Sequence, residues 1–283
     1  VHELIAWGLD EYSCRTSATG SKREQFAKHI EQAKQNLAMR TPYVTCSALR
    51  TEEAENVKDL FATTMQRSDL KKGYEDFDWT LSVVDLRHLL AFQRRLVFSH
   101  NEHHPQTPKQ NDWSALISLT MGEPRTTKCF FSHQGDATGD LDISLYSNNP
   151  DLQVRLNQKA GADDASLLSL YGGTPFFEVA ELCGRWFLRD GYHRAYRLLN
   201  AGVHYIPAVV IRAKTLEELG ATNTWFFGED QLFSDRPPRV VDFLDKSMVL
   251  HYQRVALRKV IRIRIEESLQ PFGEIEEKQG EGQ

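Results

Sequence analysis

The chain has 283 residues, 41% hydrophobic and 26% charged, with a net charge of −5. That length buries a sizeable core in one large domain or two smaller ones, and that composition excludes a disordered or collagen-like chain. The negative balance excludes attraction of nucleic acid by overall charge and leaves only a locally built basic patch for that role.

In chain order, residues 22–40 predict a helix, with Phe26, Ile30, Ala33 and Leu37 at helical spacing. Tyr43 to Cys46 is a short strand candidate, and Thr51 to about Ser68 reads as a helix with acids in its first turn. A charged connector, residues 69–76, leads to a strand over Asp78–Asp85 and then to a helical reading over Leu86–Val97. The polar run 99–112 is a loop, and the runs 115–121 and 128–132 are apolar without a clear type. Residues 134–140 are a turn cluster, 141–146 a strand, and 164–171 a short helix. Phe176–Leu182 and Arg185–Leu188 flank Cys183-Gly184 as a hairpin. Thr215–Leu219 is a helical turn before Gly220, and Arg236-Pro237-Pro238 is a breaker. Runs 249–257 and 259–265 are expected to pair as strands, ahead of a frayed acidic tail over 274–283.

Four cysteines (Cys14, Cys46, Cys129, Cys183) stand far apart, so zinc-ribbon and thioredoxin spacing is missing. They are expected to be small buried thiols in a reducing cytoplasm. No run of about eighteen apolar residues suggests a membrane span. The opening Val1-His2-Glu3 does not resemble a charged-then-apolar leader.

Chemistry concentrates between Arg185 and Ile211. An apolar strand meets an Asp190-Gly191 turn, a helix follows whose first turns carry Tyr192, His193, Arg194 and Arg197, and Pro207 opens the next apolar run. Ala195, Leu198 and Leu199 form the packing stripe, and His193 and Arg197 share a face. Free backbone N–H groups and cationic side chains at one helix start favour an anion, most naturally a phosphate. Arg194 suits a bidentate phosphate clamp, His193 a proton transfer, and Gly191 a close approach of ligand to backbone. Asp190 reads either as a helix N-cap or as the ligand of a cation beside the phosphate.

Asp190-Gly191-Tyr192-His193-Arg194, followed by Gly202 and Pro207, resembles the core of the ParB/sulfiredoxin-like superfamily, with its Asp-Gly-x-His-Arg motif. Weaker echoes are Ser147 to Arg155 and Thr174-Pro175-Phe176-Phe177-Glu178-Val179, so the resemblance covers about residues 141–212. It implies an α/β (α+β) fold: a ParB/sulfiredoxin-like mixed sheet with helices over 136–215, after a helical and mixed N-terminal region over 1–135 and before a β-rich extension over 216–283. The family binds nucleotide phosphates at this turn. The resemblance therefore implies contacts from Gly191, Tyr192, His193, Arg194 and Arg197, catalytic roles for Asp190 and His193, and a nucleoside triphosphate with Mg2+ held at Asp190. Tyr192 stands where sulfiredoxins carry their reactive cysteine, which removes that activity. NTP hydrolysis, phosphoryl transfer to a small molecule, a non-catalytic DNA-associated or regulatory role, and a ParB-like nuclease stay open, as do nucleic acid as a partner and the oligomeric state. In the kinase case Glu178 or Asp151 is the further acid expected in the cleft.

Three other groups stand out. His100, Glu102, His103 and His104 form a weak metal candidate in the polar loop. Arg262 and Arg264 alternate with Ile261, Ile263 and Ile265, as on the solvated face of a hairpin balanced by Glu266 and Glu267. Trp225-Phe226-Phe227 reads as core or as a cover over the cleft, and Arg87, Arg94 and Arg95 lie where the first half is expected to dock on the second.

Overall fold

The computed structural model describes residues 1–8, 20–98, 106–122, 130–135, 141–147, 153–156, 168–171, 175–221, 226–253 and 258–265. The chain divides into two units: Val1–Pro124 with Thr174–Arg254, and Arg125–Gly173 with Val255–Gln283. Helices and several sheets are both present, so the class is mixed α and β.

The first unit opens with strand β1 (His2–Leu4) and helix α1 (Gly20–Met39), the helix expected from its periodicity. The helix expected over 51–68 is broken into α2 (Thr51–Glu55) and α3 (Lys58–Thr64), and the charged connector contains α4 (Ser68–Gly73). Strand β2 (Trp79–Asp85) follows as expected. The helical reading of 86–97 is overturned: a single 3-10 turn (Leu86–His88) gives way to β3 (Leu90–Ala91) and β4 (Arg95–Leu96). Leu89, Leu90, Ala91 and Phe92 are four consecutive buried residues, a run that suits a covered strand and not the spaced apolar face of an amphipathic helix. Residues 106–112 form no helix or strand, and α5 (Trp113–Thr120) is capped by Asp112.

Four strands of the second unit come next: β5 (Phe130–Gly135), β6 (Leu141–Ser147), β7 (Gln153–Leu156) and β8 (Leu168–Tyr171). Residues 168–171 are thus a strand rather than the helix expected over 164–171.

The first unit resumes with the hairpin β9 (Glu178–Leu182) and β10 (Arg185–Asp190), helix α6 (Tyr192–Asn200), strand β11 (Tyr205–Arg212) and the short helices α7 (Leu216–Leu219) and α8 (Glu229–Leu232). A 3-10 turn (Val240–Leu244) and β12 (Val249–His251) end it, and β13 (Lys259–Ile265) belongs to the second unit. Among the described residues, the expected pairing of the 249–257 run with 259–265 is not seen. β12 pairs with β1, and β13 pairs with β6 from Lys259↔Ser147 to Ile265↔Leu141. Within the first unit, β2 and β3 pair with β11 and β10, so the central sheet draws on both 1–135 and 136–215. Cys46 and Cys183, expected to be buried, are both exposed.

The central sheet runs β2-β11-β9-β10-β3. β11 is parallel to β9 and antiparallel to β2, and β3 is parallel to β10. The sheet is curled. Leu86 N–H bonds the His204 carbonyl at one edge while Leu90 pairs with Phe187 at the other. Four residues of chain span at most about 14 Å, whereas the edges of a flat five-stranded sheet lie about 19 Å apart. Both edges are also covered. Residues 48–50 bond along β2 (Asp85 N–H to the Ala48 carbonyl, 2.8 Å), and 238–240 bond along β3 (Ala91 N–H to the Pro238 carbonyl, 2.9 Å). The buried residues of β9, β10 and β11 share one core with Ala195, Leu198 and Leu199 of α6, the stripe read from the sequence.

In the second unit β6 lies between β5 and β13, and β7 pairs with β8. Arg262 and Arg264 are exposed as expected, and Arg264 faces Asp142 at 4.0 Å. Glu266 and Glu267, the expected balancing acids, lie outside the described residues, as do Cys14, Cys129, Asp151, Trp225, the 100–104 histidine cluster, the 136–140 turn and the 274–283 tail.

Candidate functional site

The site read from the sequence sits where β10 hands over to α6. Gly191 is the N-cap of α6 and adopts φ +106°. A Cβ built on it would lie 2.5 Å from Cδ2 of Phe177, so this glycine admits a neighbouring ring rather than a ligand. Asp190 belongs to β10, opposite Glu178 across a register shift, and is not the N-cap.

The four side chains that follow are turned to different tasks. Tyr192 is buried, and its hydroxyl oxygen accepts from the N–H groups of Phe92 (3.0 Å) and Gln93 (3.3 Å). Burial pushes its phenol well above the ordinary range. The His193 ring bonds the Val97 carbonyl through Nε2 at 3.0 Å and stands edge-on to Phe98. Arg194 is 7% exposed. Its guanidinium donates to the carbonyls of Pro175 (2.6 Å), Phe176 (2.6 Å) and Leu119 (3.3 Å), lies over the Phe177 ring, and has the Asp190 carboxylate 3.7 Å away. The phosphate clamp expected of Arg194 is therefore a clamp on backbone carbonyls. It ties the end of α5 and the entry to β9 onto α6, at a point where a buried guanidinium must spend its donors internally.

Arg197 is placed differently. With Arg194, Gln106, Thr107, Leu119 and Leu198 it lines a pocket of about 10 Å³, room for one water-sized atom. Gln106 and Thr107 went unremarked as individuals in the sequence, although the polar loop that carries them was the available signal. The tethering of Arg194 beneath Arg197 had no local signal, because the carbonyls that receive it are contributed by residues 119, 175 and 176.

The kinase-type acid, Glu178, is 1% exposed and accepts from the Tyr74 hydroxyl and the Arg189 guanidinium. It balances an internal cation. Among the described residues no group of three or more His, Cys, Asp or Glu is placed to hold a metal. Asp190 has a guanidinium as its neighbour, so these residues do not fit a protein-held Mg2+. Of the upstream echo, Arg155 lies on β7 of the second unit, whereas the motif belongs to the first.

No family model, curated protein or solved structure matches the chain. The site is thus argued from its own geometry. No helix among the described residues is long and apolar enough to cross a membrane.

The structure also joins groups that sequence distance had hidden. Asp85, fully buried at the end of β2, receives Arg50 (2.6 Å) and two hydrogen bonds from the Arg87 side chain (2.8 and 2.9 Å). Burial pushes the Asp85 carboxyl up, and the hydrogen bonds from Arg87 and Arg50 outweigh it and hold it at about 2. His2 and His251 are directly opposed on β1 and β12 with ring centroids 4.0 Å apart. Burial, followed by repulsion from His251, lowers His2 to about 4.

Proposed function

We propose that the chain binds a nucleotide or another phosphate-bearing small molecule on α6 of a ParB/sulfiredoxin-like domain. Arg197 meets the phosphate, and one phosphoryl oxygen enters the small pocket beside Gln106 and Thr107. The domain assignment rests on the order β9, β10, α6, β11 with β11 parallel to β9, together with the Asp190-Gly191 turn at the helix start. The single observation that carries the ligand is the pocket that pairs Arg197 with polar groups of the 106–107 loop. The pocket's size admits one oxygen and not a whole triphosphate, so the reading is of surface seating by an outer phosphate. Hydrolysis or phosphoryl transfer draws no support from Asp190, because it faces Arg194.

Calorimetric titration with ATP, CTP and inorganic phosphate, with and without Mg2+, tests this. Heat of binding that Arg197→Ala removes without lowering the melting temperature supports it. Wild-type protein that gives no heat with any of the three sinks it.

A second reading is a non-catalytic regulatory or DNA-associated subunit. It is favoured by the internal tasks of Tyr192, His193 and Arg194, which leave the motif building the fold. Duplex DNA binding that weakens steeply with salt, in the absence of any nucleotide heat, selects this reading.

A further inference from the structure

β1 is the middle strand of the sheet β12-β1-β4, and β12 lies at its edge. Val1 and Tyr252 exchange both backbone hydrogen bonds (2.8 and 3.1 Å), and Ile5 N–H bonds the Met248 carbonyl at 3.0 Å. The antiparallel alternation therefore makes His2 and His251 a directly opposed pair with no bond between their own backbones. In such pairs the Cα atoms approach to about 4.5 Å and the side chains stand closest. The two rings face each other accordingly, with centroids 4.0 Å apart and planes tilted by 35°.

Both imidazoles are uncommitted. Nδ1 of His2 is buried without a hydrogen-bond partner, and the exposed His251 ring bonds no described residue. The imidazoles that approach the pair from other elements are engaged: His193 of α6 with the Val97 carbonyl at 3.0 Å, and His29 of α1 with the Lys246 carbonyl at 3.1 Å. Burial lowers the pKa of both His2 and His251, so at neutral pH each carries the lone pair that a metal requires.

The donors select the class of ion. Glu3, the next residue on β1, turns to the other face and accepts from the Tyr252 hydroxyl at 2.6 Å. The pair thus offers imidazole nitrogen and no carboxylate, which suits Zn2+ and its transition-metal neighbours rather than Mg2+ or Ca2+. Two imidazole nitrogens on one tetrahedral Zn2+ stand about 3.3 Å apart. Rings with centroids 4.0 Å apart are close to that spacing, and the tilt narrows one edge of the pair. The imidazole torsion is broad, so His251 can turn a nitrogen to that edge without breaking a hydrogen bond.

We propose that His2 and His251 together bind one divalent transition-metal ion of the zinc class, which clips the edge strand β12 to β1, with water filling the remaining coordination positions.

The test is calorimetric titration of the untagged full chain with zinc chloride at pH 7.5, with melting temperatures read on the same samples. The loop histidines His100, His103 and His104 are a competing zinc site, so the titration is repeated in His103→Gln/His104→Gln. The expected result is one zinc ion bound in both proteins, with a melting temperature that rises with zinc. Adding His251→Gln to either is expected to weaken binding at least tenfold and to remove the rise. His251 is exposed, so glutamine there leaves the core intact; His2→Gln is expected to give the same loss from the other strand. Zinc binding that survives His251→Gln overturns the proposal. So does zinc binding that vanishes in His103→Gln/His104→Gln, or a wild-type protein that takes up no zinc.

Discussion

The ring of Phe177 occupies the space that a side chain at Gly191 would need. The predicted Cβ position falls 2.5 and 2.7 Å from two ring carbons, inside the distance any carbon tolerates, and the backbone there is left-handed at φ +106°. Both facts require glycine, and both arise from packing. Gly191→Ala is expected to destabilise the protein by about 2–4 kcal/mol, from the clash and the backbone strain together. Denaturant unfolding measures this. A loss under about 0.5 kcal/mol would show that the junction relaxes easily.

Arg194 and Arg197, three residues apart on α6, are expected to separate stability from binding. Arg194→Ala leaves the carbonyls of Pro175 and Phe176 without their donors and is expected to cost about 2–4 kcal/mol. Arg197→Ala is expected to cost under about 1 kcal/mol while removing any phosphate-dependent heat. Paired unfolding and calorimetry on the two variants check the split. The reverse pattern, with Arg194→Ala stable and Arg197→Ala unfolded, contradicts the roles assigned here.

Asp85 sets a limit in acid. In the unfolded chain its carboxyl ionises near 3.8, whereas in the folded protein Arg87 and Arg50 hold it at about 2. The unfolded state therefore takes up a proton first as pH falls. Stability present above about pH 4 is lost progressively toward pH 2, by about 2 kcal/mol for this group. Urea unfolding at pH 4 and at pH 2.5 reads the change, and Asp85→Asn is expected to remove most of it. An unaltered pH dependence in that variant means other carboxylates dominate.

His2 works in a higher window. Its folded value is about 4 against an ordinary 6.5, through burial and the opposing His251 ring. Between these values the unfolded chain carries a proton that the folded chain does not, so stability falls as pH drops from 6.5 toward 4 and levels below that. Allowing for the ring's partial exposure, the loss is about 1–2 kcal/mol. His2→Gln is expected to flatten the melting temperature between pH 6.5 and 4.5. A variant that tracks the wild type through that range locates the effect elsewhere.

What the sequence determined by itself is local. Helical spacing marked α1, period-2 and apolar runs marked β2 and β11, and the Cys183-Gly184 pair marked the β9–β10 hairpin, because each of these signals lies within one element. The Asp190-Gly191 turn, the helix after it and its Ala195, Leu198 and Leu199 stripe were legible for the same reason. The tertiary structure decided what the pattern was for. Arg194 resembled a phosphate ligand until the carbonyls of residues 119, 175 and 176 were brought to it. The 86–97 stretch read as helical until β3 was drawn to the edge of the curled sheet and β4 to the side of β1. The pairing of β13 with β6 and of β12 with β1 was likewise hidden. Periodicity states which face a residue turns inward, whereas the identity of what it meets there is set by contacts between segments far apart in the chain.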